Sequence, residues 1–261
     1  MSGRVELMIE ERGEAGRVAR VALDRPEKLN ALSRGLMTEF CATFERLATD
    51  DGLRAVVLRG AGERAFCGGA DIGDMAVLQN AEAKGYISLV HRVCDAAHRC
   101  AVPVIARIDG CAFGAGLELA ASCDFRFASD RSTFGMQEVR LGIPSVVEAV
   151  RLPGLIGWGR TRLLLLTGRS IDSATALAWG LVEEAVGADD LDAAVARCVE
   201  EILACGPGAV LLQKQLILSW EQGDKAARIR ESIDAFAANA GTPEPRRMMA
   251  DYLEEKRARK K

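Results

Sequence analysis

Two apolar runs near the start of the chain predict a β-hairpin. VELMIEE (residues 5–11) and RVARVALD (residues 17–24) are separated by RGEAG, a short stretch with the glycines that turns favour. Ser33 then opens a segment in which apolar residues recur at steps of three and four. This spacing is typical of an amphipathic helix, and serine is a preferred N-cap. The opening of the chain therefore predicts two strands followed by a capped helix.

Further along, strand patterns alternate with glycine-containing turns and helix patterns. RAVVLRG (residues 54–60) is a short β-branched run typical of a buried strand, and the glycine-rich AGERAFCGGADI follows it. A long helix is predicted from about residue 74 to residue 100. Strands are predicted at residues 103–110 and 123–130, with the turn GCAFGAG and a short helix between them. The repeated order of strand, turn and helix predicts a mixed α/β fold.

The second half of the chain is mostly helical in pattern. Helix patterns dominate from Pro144 onward, with one small strand predicted at residues 181–186. Three further helix patterns follow the GPGA sequence, and the last of them ends in EPRRMMADYLEEKRARKK. We place a boundary near Cys205, which divides an α/β core (residues 1–205) from a helical C-terminal region (residues 206–261).

The composition is that of a globular protein without a nucleic-acid or membrane partner. The chain has 261 residues, 49% of them hydrophobic, and a formal net charge of −3. A chain of this length can bury a sizeable core. Its net negative charge creates no overall positive potential that would attract nucleic acid or an anionic membrane. The basic EKRARKK at residues 255–261 is interpreted as a solvated end. No run approaches the ~18 apolar residues of a membrane span, and the first residues carry no apolar core of a secretory signal.

Cysteine and histidine usage gives no sign of a metal site. The eight cysteines are scattered without a CxxC pair, so zinc-type spacing is absent. Reduced thiols and a cytoplasmic location are expected. His91 and His98 lie seven residues apart, on one face of the predicted helix. Without a third ligand, they are interpreted as ordinary surface or packing residues.

FGAGLELA (residues 113–120) places a carboxylate just after a glycine-rich turn. Gly114 and Gly116 allow backbone angles closed to other residues and a close approach by a ligand. A helix that starts near Ala115 leaves its first N–H groups unpaired, and these suit an oxygen that gains negative charge. Glu118 in the first turn can then act as an acid or base. Taken alone, its position favours the simpler interpretation, a charge that stabilises the helix N-terminus.

A second glycine loop and a second glutamate repeat this design. AFCGGADI (residues 65–72) has Gly68 and Gly69 before an alanine, so one N–H donor from each loop can form a two-pronged oxyanion hole. Glu138 lies twenty residues after Glu118 with a predicted strand between them. That arrangement can bring two carboxylates to one pocket for proton transfer. Alone, Glu138 is also consistent with a surface residue.

Four segments together resemble the enoyl-CoA hydratase/isomerase family, also called the crotonase family. They are RPEKLNAL (25–32), AFCGGADI (65–72), GCAFGAGLELAASCD (110–124) and FGMQEVRLGIP (134–144). The resemblance covers roughly residues 5–255, and it implies a spiral of repeated ββα units with C-terminal helices that make trimer contacts. It further implies an acyl-CoA thioester as substrate and a homotrimer or a dimer of trimers.

The resemblance also implies a role for individual residues. The backbone N–H groups of Ala70 and Ala115 match the family's oxyanion hole, and Glu118 and Glu138 match the two glutamates of its hydratases. In that likeness Glu118 helps to deprotonate a water for attack on the β-carbon, while Glu138 exchanges the proton at the α-carbon. No metal or organic cofactor is implied, because coenzyme A is part of the substrate. The expected substrate-binding residues are Lys28, Leu29, Ala65, Gly68, Gly69, Asp71, Ile72, Gly114, Gly116 and Ser145.

The segment after Pro144 departs from the family's hydratases. SVVEAVRL keeps the Arg151-Leu152 pair but replaces a glycine-rich run, and the loop before it is one residue shorter. Ser145 stands where a glycine amide helps to hold water in the family. Glu148 adds a third carboxylate, interpreted either as an exposed helix residue or as a pocket residue that tunes substrate choice.

Four functions stay open at this point. The glutamate pair favours hydration of a 2-enoyl-CoA to a 3-hydroxyacyl-CoA. A double-bond isomerase needs only one well-placed acid or base, and a family decarboxylase or thioester hydrolase is a third alternative. The fourth is a binding protein that uses the basic tail on RNA, against which the intact glutamate pair and the acidic charge balance argue.

Overall fold

The computed structural model describes residues 3–78, 80–221, 224–240 and 242–245, together with positions 247, 249 and 254. The helix pattern predicted for the last eighteen residues falls mostly outside this part, and the basic tail falls wholly outside it. The chain divides into two compact units, residues 1–198 and 199–261.

The predicted hairpin and capped helix are confirmed. Strands β1 (Arg4–Glu11) and β2 (Arg17–Asp24) pair antiparallel. Helix α1 spans Arg34–Leu47, and the Ser33 hydroxyl accepts a hydrogen bond from the Leu36 N–H at 3.3 Å. This bond satisfies one of the N–H groups that a helix start leaves unpaired. The buried face of α1 includes two phenylalanines whose ring centroids stack at 4.5 Å.

The centre of the first unit is built from repeats that each supply one strand to each of two sheets. The strands of the repeats are β3 (Leu53–Gly60), β4 (Ala65–Cys67), β5 (Val104–Ile108), β6 (Cys111–Phe113), β7 (Phe125–Ser129) and β8 (Thr133–Gly135). Within the described residues, β3, β5 and β7 lie as parallel neighbours in a six-stranded sheet, and β4, β6 and β8 do so in a four-stranded sheet. The predicted spiral of ββα units is thereby confirmed.

Helices follow the strand pairs of the first two repeats. The helix predicted at about 74–100 is two helices, α2 (Ile72–Ala76) and α3 (Asn80–His98). The Asp71 carboxylate starts α2 by accepting the N–H groups of Gly73 and Asp74, a cap that the apolar pattern alone did not reveal. Helix α4 (Ala115–Ser122), the short helix that the sequence predicts between two strands, is buried along its whole length.

The later strands of the first unit each extend one of the two sheets at an edge. Helix α5 (Leu152–Thr167) bends at Gly157, whose φ is 78°. Strand β9 (Ser170–Asp172) adds antiparallel to β8, and β10 (Glu184–Val186) adds parallel to β7. The small strand predicted at residues 181–186 is therefore confirmed. Helix α6 (Ser173–Trp179) belongs to this unit, and helix α7 (Leu191–Leu203) includes residue 198, at which the first unit ends.

The second unit is helical where it is described. Helices α8 (Pro207–Trp220) and α9 (Lys225–Ala240) are joined by a hydrogen bond from the Trp220 indole N–H to the Ser232 hydroxyl at 3.0 Å. The Glu244 carboxylate accepts two backbone N–H groups in the first turn of α8. The eight cysteines all lie in the described part and carry free thiols. No helix among the described residues is both long and apolar enough to cross a membrane.

Candidate active site

The site lies at the carboxyl ends of three neighbouring parallel strands. Strands β4, β6 and β8 are adjacent in the four-stranded sheet, so the loops that leave them emerge at one edge about 4.8 Å apart from strand to strand. The loop after β4 begins at Gly68, the turn after β6 at Gly114, and the segment after β8 leads to Glu138. The repeat therefore brings together three segments that are far apart in the sequence.

Two backbone N–H groups at this edge have no acceptor among the residues that the structure describes. The parallel bridge between Leu32 and Ala70 uses the carbonyl of Gly69 and the N–H of Asp71, and leaves the N–H of Ala70 unused. Ala115 is the first residue of α4, and the first N–H groups of a helix have no acceptor within the helix. Neither N–H donates to any acceptor in the described part of the chain. A pair of this kind can stabilise an oxygen that becomes negative.

Glycine is required where the two donor loops meet. Gly69 has a φ of 107°, and a Cβ there would lie 2.9 Å from the carbonyl oxygen of Phe113 and 3.8 Å from the Ala115 nitrogen. Gly114 has a φ of 50°, and a Cβ there would lie 2.5 Å from the Glu138 Oε1 atom. Both positions combine a positive φ with a close neighbour, so a side chain would strain the backbone and collide with the Phe113 carbonyl or the Glu138 carboxylate.

Glu118 is a buried carboxyl group on the first turn of α4. The residue is 3% exposed, and its Oε1 atom accepts the N–H of Ala149 at 3.1 Å. Burial raises the pKa of Glu118 to about 8, and the negative charge of Glu138 adds to the effect. The Ala149 N–H lowers this pKa and the charge of Glu148 raises it. Glu118 therefore keeps its proton near neutral pH, where an ordinary glutamate has lost it.

Glu138 is a partly exposed carboxylate on the other side of the same space. It begins a 3₁₀ turn, Glu138–Leu141, directly after β8. The hydroxyl of Ser145 donates to its Oε2 atom at 2.8 Å. Ser145 therefore positions this carboxylate by a side-chain hydrogen bond, a contact that a glycine at the same place cannot make.

The donors and both carboxyl groups line one cavity of ≈ 130 Å³. That volume exceeds by far the 10–15 Å³ needed by one water. Its remaining walls are mostly apolar side chains from α2, α3 and the loops after β6 and β8, namely Ile72, Met75, Ile87, Phe113, Leu141, Ile143, Pro144 and Val146. The cavity therefore combines an apolar lining with a few convergent polar groups, the usual composition of a small-molecule site.

Most of the residues expected at the site lie there. Those that line the cavity are Gly68, Gly69, Ala70, Ile72, Gly114, Ala115, Glu118 and Glu138. Those that do not line it are Lys28, Leu29, Ala65, Asp71, Gly116, Ser145 and Glu148. The structure assigns most of the second set a supporting contact instead.

Two of these residues hold the loop after β4. Ala65 is 1% exposed, and its carbonyl accepts the side-chain amide of Asn30 at 2.8 Å. Asp71 caps α2 and forms an ion pair with Arg25. The hydroxyl of Tyr86 accepts the Asp71 N–H at 3.1 Å. Sequence reasoning missed both Tyr86, which lies outside the four quoted segments, and Asn30, which lies in RPEKLNAL, because each acts through hydrogen bonds to the backbone.

Leu29 and Gly116 set the spacing around the donors, and Lys28 is exposed. The carbonyl of Leu29 accepts the N–H of Gly68 at 2.7 Å. A Cβ on Gly116 would collide with the carbonyl of Cys67. Glycine at that position therefore lets α4 pack directly against β4, which fixes the two donor loops side by side.

Glu148 is buried, so its interpretation as an exposed helix residue is wrong. It is 4% exposed and lies in the 3₁₀ turn Val147–Arg151. Its Oε1 atom is 2.6 Å from the Nδ1 atom of His91. No local pattern indicates this pairing, because the two residues are 57 positions apart.

Two free backbone donors and two carboxyl groups around an apolar cavity define a site for acid–base chemistry on a substrate that develops an oxyanion. The family model described as enoyl-CoA hydratase/isomerase matches residues 13–260. The chain belongs to this family.

Relatives and solved structures agree with that assignment. The chain is 34% identical over 243 residues to the short-chain-enoyl-CoA hydratase of Clostridium acetobutylicum, with 93% of each chain covered. It is 33% identical over 243 residues to the crotonyl-CoA hydratase of Syntrophomonas wolfei, covering 93% of this chain and 94% of the relative. An enoyl-CoA hydratase structure from Bacillus anthracis superposes with a TM-score of 0.90 at 31% identity, covering 95% of this chain and 96% of that one.

No cluster of three or more histidine, cysteine, aspartate or glutamate side chains suited to a metal ion occurs in the described part of the molecule. The two histidines of α3 instead contact the 3₁₀ turn Val147–Arg151. Their interpretation as surface or packing residues therefore left out these hydrogen bonds.

Proposed function

We propose that the protein hydrates a 2-enoyl-CoA thioester to the 3-hydroxyacyl-CoA. The observation that carries the proposal is the pair Glu118 and Glu138 on one cavity with two unused backbone N–H donors. The named hydratases among the relatives support the same reaction. Coenzyme A is part of the substrate, and the proposed reaction uses no other organic group or metal.

The thioester oxygen is the atom that the two N–H groups are suited to bind. Addition of water to the β-carbon places negative charge on that oxygen as the enolate forms. Ala70 and Ala115 line the same cavity, and neither of their N–H groups has an acceptor among the described residues. Preorganised donors of this kind stabilise the charge without moving during the reaction, and losing one typically slows a reaction about 10²–10³-fold.

The two carboxyl groups supply the protons that hydration requires. The nucleophilic water loses one proton as its oxygen bonds to the β-carbon, and the α-carbon gains one. A pair with one neutral and one ionised carboxyl group can accept the first proton and donate the second. Afterwards the pair again holds one proton. The raised pKa of Glu118, about 8, supports such a singly protonated pair near neutral pH.

The same protonation state predicts the pH dependence of turnover. Above about pH 8 the shared proton is lost, so no carboxyl group is left to donate to the α-carbon. Activity is therefore expected to fall on the alkaline side with a limb near pH 8. Because the groups are close, this limb belongs to the pair and not to one residue.

The assembly and location follow the family resemblance. We propose a homotrimer or a dimer of trimers, with the C-terminal region, residues 206–261, making the subunit contacts. The eight free thiols support a cytoplasmic location. Light scattering on the full chain tests the assembly, and a monomer at micromolar concentration would contradict it.

An assay with matched glutamate variants tests the proposed reaction. Purified protein is given crotonyl-CoA and longer 2-enoyl-CoA thioesters, and loss of the conjugated double bond is followed by absorbance. We expect Glu118→Gln and Glu138→Gln each to lower kcat by about 10²–10⁴-fold. Glu39→Gln, on the exposed face of α1, is the control and should keep the full rate. Undiminished hydration in both site variants would contradict the proposal.

A further inference from the structure

Two histidines of α3 hold the turn that contacts Glu118. The Nδ1 atom of His91 lies 2.6 Å from the Oε1 atom of Glu148, and the Arg151 guanidinium donates to the Nε2 atom of His98 at 3.2 Å. The histidines are seven residues apart on α3, two helical turns, and so share one face. The Val147–Arg151 turn is therefore fastened to α3 at two points.

This turn donates a hydrogen bond to the buried carboxyl group of the site. The N–H of Ala149 lies 3.1 Å from the Oε1 atom of Glu118 and is shared with the carbonyl of Val146 at 3.0 Å. Glu148 immediately precedes this donor. The contact between Glu148 and His91 therefore fixes the backbone residue next to the N–H that Glu118 uses.

The turn also begins in a conformation that needs support. Val147 has a φ of 40°, in the left-handed region that β-branched residues rarely enter. Such a residue keeps this conformation only where its surroundings impose it. The adjacent Glu148 is the residue that contacts α3, so its anchor holds the strained position in place.

The carboxylate of Glu148 is buried close to Glu118. The charged and titratable groups that act on it or that it acts on are His91 and Cys94 of α3 and Glu118 of α4. Arg151 is the basic residue of the same turn. No hydrogen bond or ion pair joins it to α5 within the described residues. Its Oε2 atom is buried without a hydrogen-bond partner in that part of the chain. The negative charge of Glu148 adds to burial and to Glu138 in raising the pKa of Glu118.

We propose that Glu148 and His91 are positioning residues for Glu118, which fix the Ala149 N–H on its carboxyl group and keep a negative charge beside it. The proposal rests on the proposed function, in which Glu118 handles a proton. The proposal gives a role to SVVEAVRL, the segment that departs from the glycine-rich run of the family's hydratases. A glycine at position 148 would supply neither the contact with His91 nor the negative charge beside Glu118.

Kinetics of paired variants test the proposal. Glu148→Ala and His91→Ala should each lower kcat by about 10- to 100-fold and leave KM within about twofold of the wild-type value. Each substitution disturbs the placement of Glu118 but leaves the binding of the substrate intact. Glu148→Gln keeps an acceptor for His91 without the charge. It should recover kcat to within about threefold and move the alkaline limb of kcat to lower pH. Ser88→Ala, at an exposed position of α3, is the matched control and should change neither quantity.

Other outcomes overturn the proposal. The proposal is wrong if Glu148→Ala has the wild-type kcat and an alkaline limb at the wild-type pH. It is also wrong if the alkaline limb of Glu148→Gln stays at the wild-type pH. If circular dichroism shows that Glu148→Ala is unfolded, Glu148→Gln and His91→Ala decide. Wild-type turnover tests the proposed function separately. If the wild-type protein shows no turnover, ¹³C NMR titration of the Glu118 carboxyl carbon compares the pKa of Glu118 in the wild type and in Glu148→Gln. An equal pKa in the two proteins refutes the proposal.

Discussion

Replacement of Glu118 by glutamine should change how the stability of the protein depends on pH. Burial and the charge of Glu138 raise the pKa of Glu118 from 4.5 to about 8 in the folded protein. In the unfolded chain the pKa returns to an ordinary value near 4.3. Between these two values the folded protein keeps a proton that the unfolded chain has lost. The contribution of neutral Glu118 to stability is therefore complete below about pH 4.5 and is lost as the pH rises toward 8.

The size of the effect follows from the proton difference. Each pH unit over which one extra proton stays on the folded state changes the free energy of unfolding by about 1.4 kcal/mol. From pH 5 to pH 8, the wild-type protein should lose up to about 4 kcal/mol through this group. Glu118→Gln cannot ionise and should lack that loss. The variant should therefore gain stability relative to wild type as the pH rises.

Urea denaturation followed by tryptophan fluorescence measures the difference. Wild type, Glu118→Gln and the surface control Glu39→Gln are unfolded at pH 5, 6, 7 and 8, at one protein concentration because assembly adds to apparent stability. We expect the control to follow wild type. If Glu118→Gln also follows wild type across this range, Glu118 is not a neutral buried acid and the assigned protonation state is wrong.

Three further substitutions test the fold and the site. Gly114→Ala should lower kcat at least about tenfold, because the added Cβ displaces the carboxylate of Glu138; Gly13→Ala, with a similar φ of 59° and no atom within 4 Å, should leave kcat unchanged. Ser33→Ala should lower the free energy of unfolding by about 1 kcal/mol, since it removes the cap of α1. Asn30→Ala should lower it by about 2 kcal/mol, because the buried carbonyl of Ala65 and the part-buried carbonyl of Ala61 lose their donor. Denaturation curves check the last two, and a stability equal to wild type would contradict each reason.

The repeat and the donor loops were predictable because their signals are local. FGAGLELA has the glycines and the apolar run of a turn followed by a short helix, and α4 begins at Ala115 as expected. AFCGGADI carries the same pattern, and parallel pairing of β4 with β6 places the two loops together. Strands β4, β6 and β8, of three residues each, were less visible, because so short a segment has no measurable periodicity.

The supporting contacts around Glu118 were beyond sequence reasoning. Glu148 and His91 are 57 residues apart, and Ala149 and Glu118 are 31 apart. Nothing in either segment alone shows that a charged residue in the VVEAVR stretch turns inward. Burial of Glu148 depends on how α3 and α4 pack around the turn, which is a property of the assembled fold.

The most direct test of the central claim follows the oxygen and one hydrogen of water into the product. Crotonyl-CoA is incubated with the protein in water enriched in ¹⁸O, and in a parallel experiment in D₂O, and the products are analysed by mass spectrometry and NMR. Hydration predicts 3-hydroxybutyryl-CoA with one ¹⁸O on the β-carbon and one deuterium on the α-carbon, and neither label at an appreciable rate with Glu118→Gln or Glu138→Gln. A shifted double bond without ¹⁸O, or free crotonate with ¹⁸O in its carboxylate, would contradict hydration and indicate an isomerase or a thioester hydrolase.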